Sequence, residues 1–176
     1  MRNLIVVCSL FFALNYSAIA SNFNYATGFA AVNEMSSKAL INAMERINDR
    51  IYAVGEHGII LYSDDLGDNW TQSESVPFTN TLTDIDCISK EECWATGHDA
   101  TILHTNDSGK TWIKQYEDID FDAPLLSIHM FDNGEGIAIG AFALSLRTTD
   151  GGNSWGYLFM DDDDFQPHFN LSLIHI

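Results

Sequence analysis

Carboxylates dominate the side chains that could do chemistry. There are 25 Asp and Glu against 8 Lys and Arg, a formal charge of -17 in 176 residues. Paired carboxylates at a suitable separation hydrolyse glycosides. With this many acids some pair falls at that separation by density alone, so the pairing carries no weight. Asp65, Asp107 and Asp150 recur at intervals of 42 and 43 residues, too far apart in a repeating fold to converge on one substrate. The run Asp161–Asp164 is an acidic surface or a Ca2+ site, but it lacks the alternating D-x-D-x-D-G spacing of an EF-hand loop. His57 and His98 read as matching turn positions, with Ala141 and Phe142 in the third copy. They are exposed turn histidines or, less simply, a two-His metal pair. No bound metal and no cofactor is expected.

Three cysteines need placing. Cys8 falls in a leader with Arg2 as its positive start, an apolar run from Leu4 to Leu14, and the small-x-small pattern Ala18-Ile19-Ala20. Cleavage between Ala20 and Ser21 is expected, leaving a charge of -18 and an exported chain. Its location would be the periplasm or the extracellular space. Cys87 and Cys93 remain. They flank the polar turn Ile-Ser-Lys-Glu-Glu, so two strands joined there bring them within disulfide reach. Separate buried thiols are the alternative. The spacing is not C-x-x-C, and a second pair of zinc ligands is missing.

Composition narrows the partners. Nucleic acid is excluded, because phosphate binding needs clustered Lys and Arg. No run of 18 apolar residues reads as a membrane span. Apolar residues make up 46% of the chain, enough for a core.

The elements that must position these residues repeat. Tyr52–Trp70, Trp94–Trp112 and Ile137–Trp155 align without gaps. Gly55, Gly97 and Gly140 keep the same 42- and 43-residue spacing, as do Trp70, Trp112 and Trp155. Leu40, Leu82 and Leu125 each lie fifteen residues before the glycine. Each copy reads as four short strands; in the second these are 82–88, 93–97, 101–105 and 111–116. Four antiparallel strands per repeat of this length make one blade of a β-propeller, so the fold class is all-β. A β-sandwich has similar strand density but gives no reason for strict repetition. The domains follow as a leader 1–20, a lead-in 21–38, and blades at 39–77, 78–121 and 122–163. A fourth blade starts at 164–171.

The turn before each Trp is the most specific feature. It places Ser63, Asp65, Gly67 and Trp70 in the first copy. Thr105, Asp107, Gly109 and Trp112 follow in the second, and Thr148, Asp150, Gly152 and Trp155 in the third. This resembles the Asp-box, or bacterial neuraminidase repeat, S/T-x-D-x-G-x-x-W. Carboxylate and hydroxyl accept backbone N–H groups in a tight loop, Gly takes positive φ, and Trp packs between blades. A structural role for these twelve residues is expected.

The wider pattern resembles the photosystem II stability/assembly factor-like propellers. It runs from Ala53-Val54-Gly55 to Trp70, with Trp70-Thr-Gln72, Val76-Pro77 and Gly97 through Thr105 similar to an exported bacterial branch. The likeness covers about residues 38 to 171. It implies a non-enzymatic binding scaffold that assists a membrane-associated complex, in the thylakoid lumen if the host is photosynthetic. Those assembly factors also use an arginine-rich patch that this chain does not supply. The Asp-box also occurs in sialidases, which makes a glycan-binding or glycosidase propeller the alternative. Resemblance to a sialidase would imply three arginines around a carboxylate, a Tyr–Glu pair and an Asp acid. Beyond the leader only Arg46, Arg50 and Arg147 are present, the first two on one hairpin.

Chain direction places the turns between second and third strands on the same end as the blade connections. That end gathers Glu56, His57, His98, Asp99, Glu117, Asp118, Asp120, Asp122 and Phe142, together with Asp161–Asp164. A basic protein segment, or one of a membrane-associated partner, is the occupant expected there, and the charge suits the basic one. A solvated acidic surface is the plain alternative. Three blades do not close a ring, since propellers have roughly 4–8. The sequence is therefore expected to continue, and Ser172–Ile176 resembles translated sequencing-adapter read-through. Closure by oligomerisation is the alternative, because open blades expose edge strands.

Overall fold

Short strands with apolar residues on both sides need a neighbour on each side. Stacked blades provide it. The computed structural model describes residues 28–32, 36–121 and 123–158. The expected leader with its Ala20–Ser21 boundary, Asp122, Asp161–Asp164, residues 164–171 and the tail 172–176 lie outside the described residues.

Three four-stranded antiparallel sheets follow one another along the chain. The first holds β1 (Ile41–Ile47), β2 (Arg50–Gly55), β3 (Ile60–Ser63) and β4 (Thr71–Gln72). The second holds β5 (Leu82–Cys87), β6 (Cys93–Gly97), β7 (Ile102–Thr105) and β8 (Ile113–Tyr116). The third holds β9 (Leu125–Met130), β10 (Gly136–Gly140), β11 (Ser145–Thr148) and β12 (Gly156–Tyr157). The architecture is part of a β-propeller, as the repeat implied.

Period-two alternation feeds two separate cores. Every residue of β6 is buried. Cys93 and Ala95 point toward the first blade and pack with Tyr52, Val54, Ile60 and Val76. Trp94 points the other way and packs with Leu125, Ile128, Ala138 and Leu146 of the third blade. Leu103 and Ile102 divide in the same manner. Each fully buried Leu or Ile contributes about 1.5–3 kcal/mol.

The innermost strands β1, β5 and β9 meet through side chains. Asn42 Nδ2 donates to the Leu82 carbonyl at 2.8 Å, and Thr83 Oγ1 donates to the Leu125 carbonyl at 2.6 Å. Asp84 accepts Ser127 Oγ at 2.8 Å and the Ile128 N–H at 3.0 Å. Asp86 accepts the Met130 N–H at 2.7 Å. These contacts satisfy backbone groups on an inner edge that no strand covers among the described residues.

The register corrects one expectation. Ile41, not Leu40, pairs with Gly55, as Leu82 pairs with Gly97 and Leu125 with Gly140. Leu40 is 63% exposed, whereas Leu82 and Leu125 are fully buried. The first hairpin turns through Asn48 and Asp49 alone, while the other two use the longer loops 88–92 and 131–135. A column counted back from the glycine therefore slips by one.

The glycine column has a steric cause. A Cβ at Gly55, Gly97 or Gly140 would lie 2.0, 2.6 or 2.4 Å from the carbonyl oxygen of Leu40, Thr81 or Pro124. The blade connection crosses there against the backbone, and only a residue without Cβ lets it pass.

A disulfide joins Cys87 to Cys93, which sit directly opposite on β5 and β6 with Cα atoms 4.1 Å apart. Closing so small a loop stabilises by about 2 kcal/mol in the chain-entropy model. The double substitution Cys87→Ser, Cys93→Ser is expected to lower stability by about that amount in urea denaturation. An unchanged midpoint would show that the bond adds nothing to the hairpin.

Candidate functional site

The Asp-box turns are built from local bonds. In the first, Ser63 Oγ donates to Asp65 Oδ1 at 2.8 Å and accepts the Gly67 N–H at 2.8 Å. Asp65 also accepts the Asn69 N–H at 2.8 Å and Asn69 Nδ2 at 2.6 Å. Thr105, Asp107, Gly109 and Thr111 repeat this set, as do Thr148, Asp150, Gly152 and Ser154. The donor just before each Trp (Asn69, Thr111, Ser154) is a column that sequence reasoning missed. A side-chain donor in all three copies was the available signal. Trp112 is buried between the first two blades, its Nε1 donating to Ser73 Oγ at 3.1 Å. Trp70 and Trp155 pack against the other two core clusters.

The three arginines do not converge. Arg50 is 5% exposed and bonds Asp64 through Nε at 2.9 Å and Nη2 at 2.6 Å. Its Nη1 donates to the Ser108 carbonyl and to Tyr52 Oη. Arg46 donates to the Asn48 carbonyl at 3.0 Å, and Arg147 to Glu135 at 2.7 Å. Arg46 and Arg147 are engaged within their own blades, and Arg50 between the first two. A sialidase-type carboxylate clamp is not assembled from them.

At the connection end the turns and linkers come together. Glu56–Gly58 and Ala141–Ala143 are single 3-10 turns. The left-handed residues His57 (φ 57°), Asp99 (φ 56°) and Phe142 (φ 55°) share one position. His57 therefore matches Asp99, and Glu56 matches His98, which corrects the pairing of His57 with His98 and removes the argument for a symmetric two-His site. Among the described residues no group of three His, Cys, Asp or Glu side chains is arranged to hold a metal ion.

The linker after β8 ties the turns together. Asp118 N donates to the Asp99 carbonyl at 3.1 Å, Ala100 N to Ala123 O at 2.8 Å, and Ala141 N to Pro124 O at 3.0 Å. Several candidate acids hold this frame. Glu56 Oε1 accepts the Leu40 N–H at 3.0 Å, and Asp99 Oδ2 accepts Asn80 Nδ2 at 3.3 Å. Asp118 accepts the Phe121 N–H at 3.2 Å and the Tyr157 hydroxyl at 2.7 Å. Glu117 is paired with Lys114. Asp120 is exposed.

Charge is sorted by sign more than by amount. Acids stand at both ends, with Asp49, Asp68, Glu91 and Asp132 in turns at the Asp-box end. Arg46, Arg50, Lys90, Lys110 and Arg147 also lie toward that end. Lys38 and Lys114 are the other described cations. Acids at the connection end thus have few cations beside them.

Sequence reasoning also missed an inner row. Glu45, Asp86 and His129 occupy matching positions on β1, β5 and β9, and line an open depression with Asp84 and Ser127. His129 Nδ1 lies 3.5 Å from Asp86 Oδ2. Burial, and then the charges of Asp86 and Asp84, push the Glu45 carboxyl above its ordinary value. Burial raises that of Asp86 against the opposing Met130 N–H bond. Bonds from Arg50 and then Lys90 bring Asp64 down to about 2. Asp65 and Asp150 are lowered by the side chains of Asn69 and Ser154. Burial opposes the same effect at Asp107, but bonds from Thr111 and Thr105 prevail.

The two groups act on stability with opposite signs. Raised carboxyls in the fold are relieved as they protonate, so stability rises as pH falls from neutral toward the ordinary carboxylate range. Lowered carboxyls contribute stability above their unfolded value, which is lost as pH falls from about 4 toward 2. Urea midpoints are therefore expected to peak in mildly acidic buffer and then drop steeply. A midpoint that stays flat from about pH 4 to 2.5 would contradict the Asp64 and Asp-box assignments.

Comparison with known proteins bears on this geometry. No curated protein matches the chain. A solved structure described as YCF48 bound to D1 peptide is 24% identical, with TM-score 0.58, and covers 68% of this chain and 40% of its own. YCF48 from Cyanidioschyzon merolae is 18% identical, with TM-score 0.57, covering 68% and 37%. The GH74 xyloglucanase of Xanthomonas campestris is 13% identical, with TM-score 0.55, covering 69% and 24%. At these identities the likenesses establish the propeller fold, and the chain spans about two fifths of the length of the two YCF48 structures. The family model for photosynthesis system II assembly factor YCF48 matches residues 72–163, more than half of the chain. With its repeated blades and Asp-box turns, the chain belongs to the YCF48 family of photosystem II assembly factors.

Proposed function

We propose that this protein is an exported, non-enzymatic propeller scaffold. Its connection end holds a basic protein segment and so assists assembly or stability of a membrane-associated complex. The carrying observation is the sorting of cations toward the Asp-box end among the described residues, with Glu117, paired with Lys114, and Asp120 on an exposed linker at the other end. Oppositely charged segments are steered to such a surface, and salt weakens the attraction. A solved propeller of the family bound to a D1 peptide supports peptide binding as the mode. The disulfide suits an oxidising compartment, such as the periplasm or a thylakoid lumen. The xyloglucanase likeness is one of fold, and the committed arginines do not favour a sialidase-type activity.

Fluorescence anisotropy with a labelled Lys/Ser dodecapeptide tests the docking end. The double reversal Glu117→Lys, Asp120→Lys is expected to weaken binding about tenfold at low salt. Reversing Asp49 and Asp68 at the other end is expected to change it little. Equal losses from both pairs would leave only diffuse attraction to an acidic protein.

A further inference from the structure

The disulfide has no counterpart in the other two blades. Cys87 and Cys93 close the loop 88–92. The third blade closes a loop of equal length, 131–135, between Met130 and Gly136, and the first pairs Arg46 with Ile51 at the same place. A hairpin of this size therefore closes without a covalent bond. What differs is the reach of the loop. In the third blade it is bonded to its own blade, through Gly151 N to the Gly134 carbonyl at 2.8 Å and Arg147 to Glu135 at 2.7 Å. In the second, the Glu91 carbonyl accepts the Ser108 N–H at 3.1 Å in the same manner, but Lys90 also crosses to the first blade. Its carbonyl accepts the Tyr52 hydroxyl at 2.7 Å, and its Nζ lies 3.0 Å from Asp64 Oδ1. The covalent bond stands where the loop has to hold a neighbour.

The two cysteines are unequally placed. Cys93 is fully buried, whereas Cys87 is half-buried and lines an open depression with Asp86, His129 and Phe131. A reagent therefore reaches the bond from the Cys87 side. We propose that Cys87–Cys93 is a redox-sensitive clasp, which holds Lys90 against the first blade when closed and frees it when a dithiol reductant opens the bond. A thiolate of the reductant attacks Cys87 Sγ, the S–S bond breaks, and Cys93 leaves as a thiolate that takes up a proton. The reductant's second thiolate then attacks its own sulfur in the mixed disulfide. Cys87 leaves as a thiolate and is protonated, and the reductant departs as a disulfide. The ladder between β5 and β6 runs from Leu82 to Asp86 without help from the sulfurs, so the blade stays folded while the loop loosens. The clasp lies at the Asp-box end and does not depend on the docking end assigned above.

Dithiothreitol in native buffer, followed by thiol alkylation and mass spectrometry, tests the opening. Both cysteines are expected to be alkylated without denaturant, at a rate that dilute urea leaves unchanged, while far-UV circular dichroism stays native. A bond that opens only as the chain unfolds in urea overturns the redox sensitivity. A double-mutant cycle tests the hold on the first blade. Tyr52→Phe is expected to lower the ratio of folded to unfolded chain about tenfold with the bond closed, and about twofold in the Cys87→Ser, Cys93→Ser protein. Lys90→Gln, which removes only the Asp64 contact, is expected to follow the same order with smaller losses, and serves if Tyr52→Phe fails to fold. Equal losses with and without the bond would mean that the disulfide staples its own hairpin alone, which overturns the clasp.

Discussion

Arg50→Ala is expected to lower stability by about 3 kcal/mol, the largest loss from a charged residue in the described fold. Arg50 is the first residue of β2, and its guanidinium reaches across a blade boundary. One side holds Asp64 bidentately. Nη1 reaches Tyr52 Oη at 3.3 Å and the Ser108 carbonyl in the second blade's Asp-box turn. The plane lies over the Tyr62 ring with Cζ at 4.4 Å from its centroid. Tyr52 Oη in turn donates to the Lys90 carbonyl at 2.7 Å, and Lys90 Nζ lies 3.0 Å from Asp64. Two blades are thereby joined at the Asp-box end by one buried cation. Truncation leaves the Ser108 carbonyl without its donor and opens a void against two tyrosines. Arg50→Lys is expected to recover less than half of the loss, since an ammonium cannot make the planar fork or stack as well. Guanidinium denaturation of the three proteins at neutral pH gives the comparison. A loss below about 0.5 kcal/mol for Arg50→Ala would place the bond set among ordinary surface pairs.

Arg50 also shows where reading a sequence succeeds and stops. As a sequence feature it was one of three arginines weighed for a substrate clamp. Its real partner follows from register: Ile51 pairs with Ser63, which sets Arg50 opposite Asp64 across the β2–β3 hairpin. The repeat columns were legible for a different reason. Gly55, Asp65 and Trp70 answer to local backbone demands that recur in every copy, so spacing alone revealed blade and turn. The inner clasps were not legible. Asn42, Thr83, Asp84 and Asp86 look like the solvent side of alternating strands, and their acceptors and donors lie more than 39 residues away. The one-residue slip at Leu40 has a similar origin, because hairpin length is set by a turn and not by the glycine column. At the connection end, chain direction put Asp118 and Asp120 in one group. It did not separate Asp118, whose carboxylate is engaged by Tyr157 far along the chain, from Asp120, which has no such duty.

Alanine at the Asp-box glycine is expected to cost very different amounts in different blades. All three positions have positive φ: 100° at Gly67, 75° at Gly109 and 81° at Gly152. Conformation alone costs about 1 kcal/mol for a residue with a Cβ. Packing then separates them. At Gly67 the added Cβ meets Trp70 at 3.7 Å, an ordinary contact. At Gly152 it falls 2.1 Å from Gln115 Oε1, the end of a flexible side chain that also accepts Trp94 Nε1. At Gly109 it falls 2.4 Å from Tyr52 Cε1, in a fully buried ring whose hydroxyl is bonded to the Lys90 carbonyl and lies near Arg50. That ring has nowhere to move, and overpacking adds about 1–3 kcal/mol to the strain. Gly109→Ala is therefore expected to lose about 3 kcal/mol, Gly152→Ala less, and Gly67→Ala about 1. Equal losses at all three would mean that the glycine serves the turn alone. A graded series would mean that this residue also sets how closely one blade's Asp-box turn approaches the blade before it.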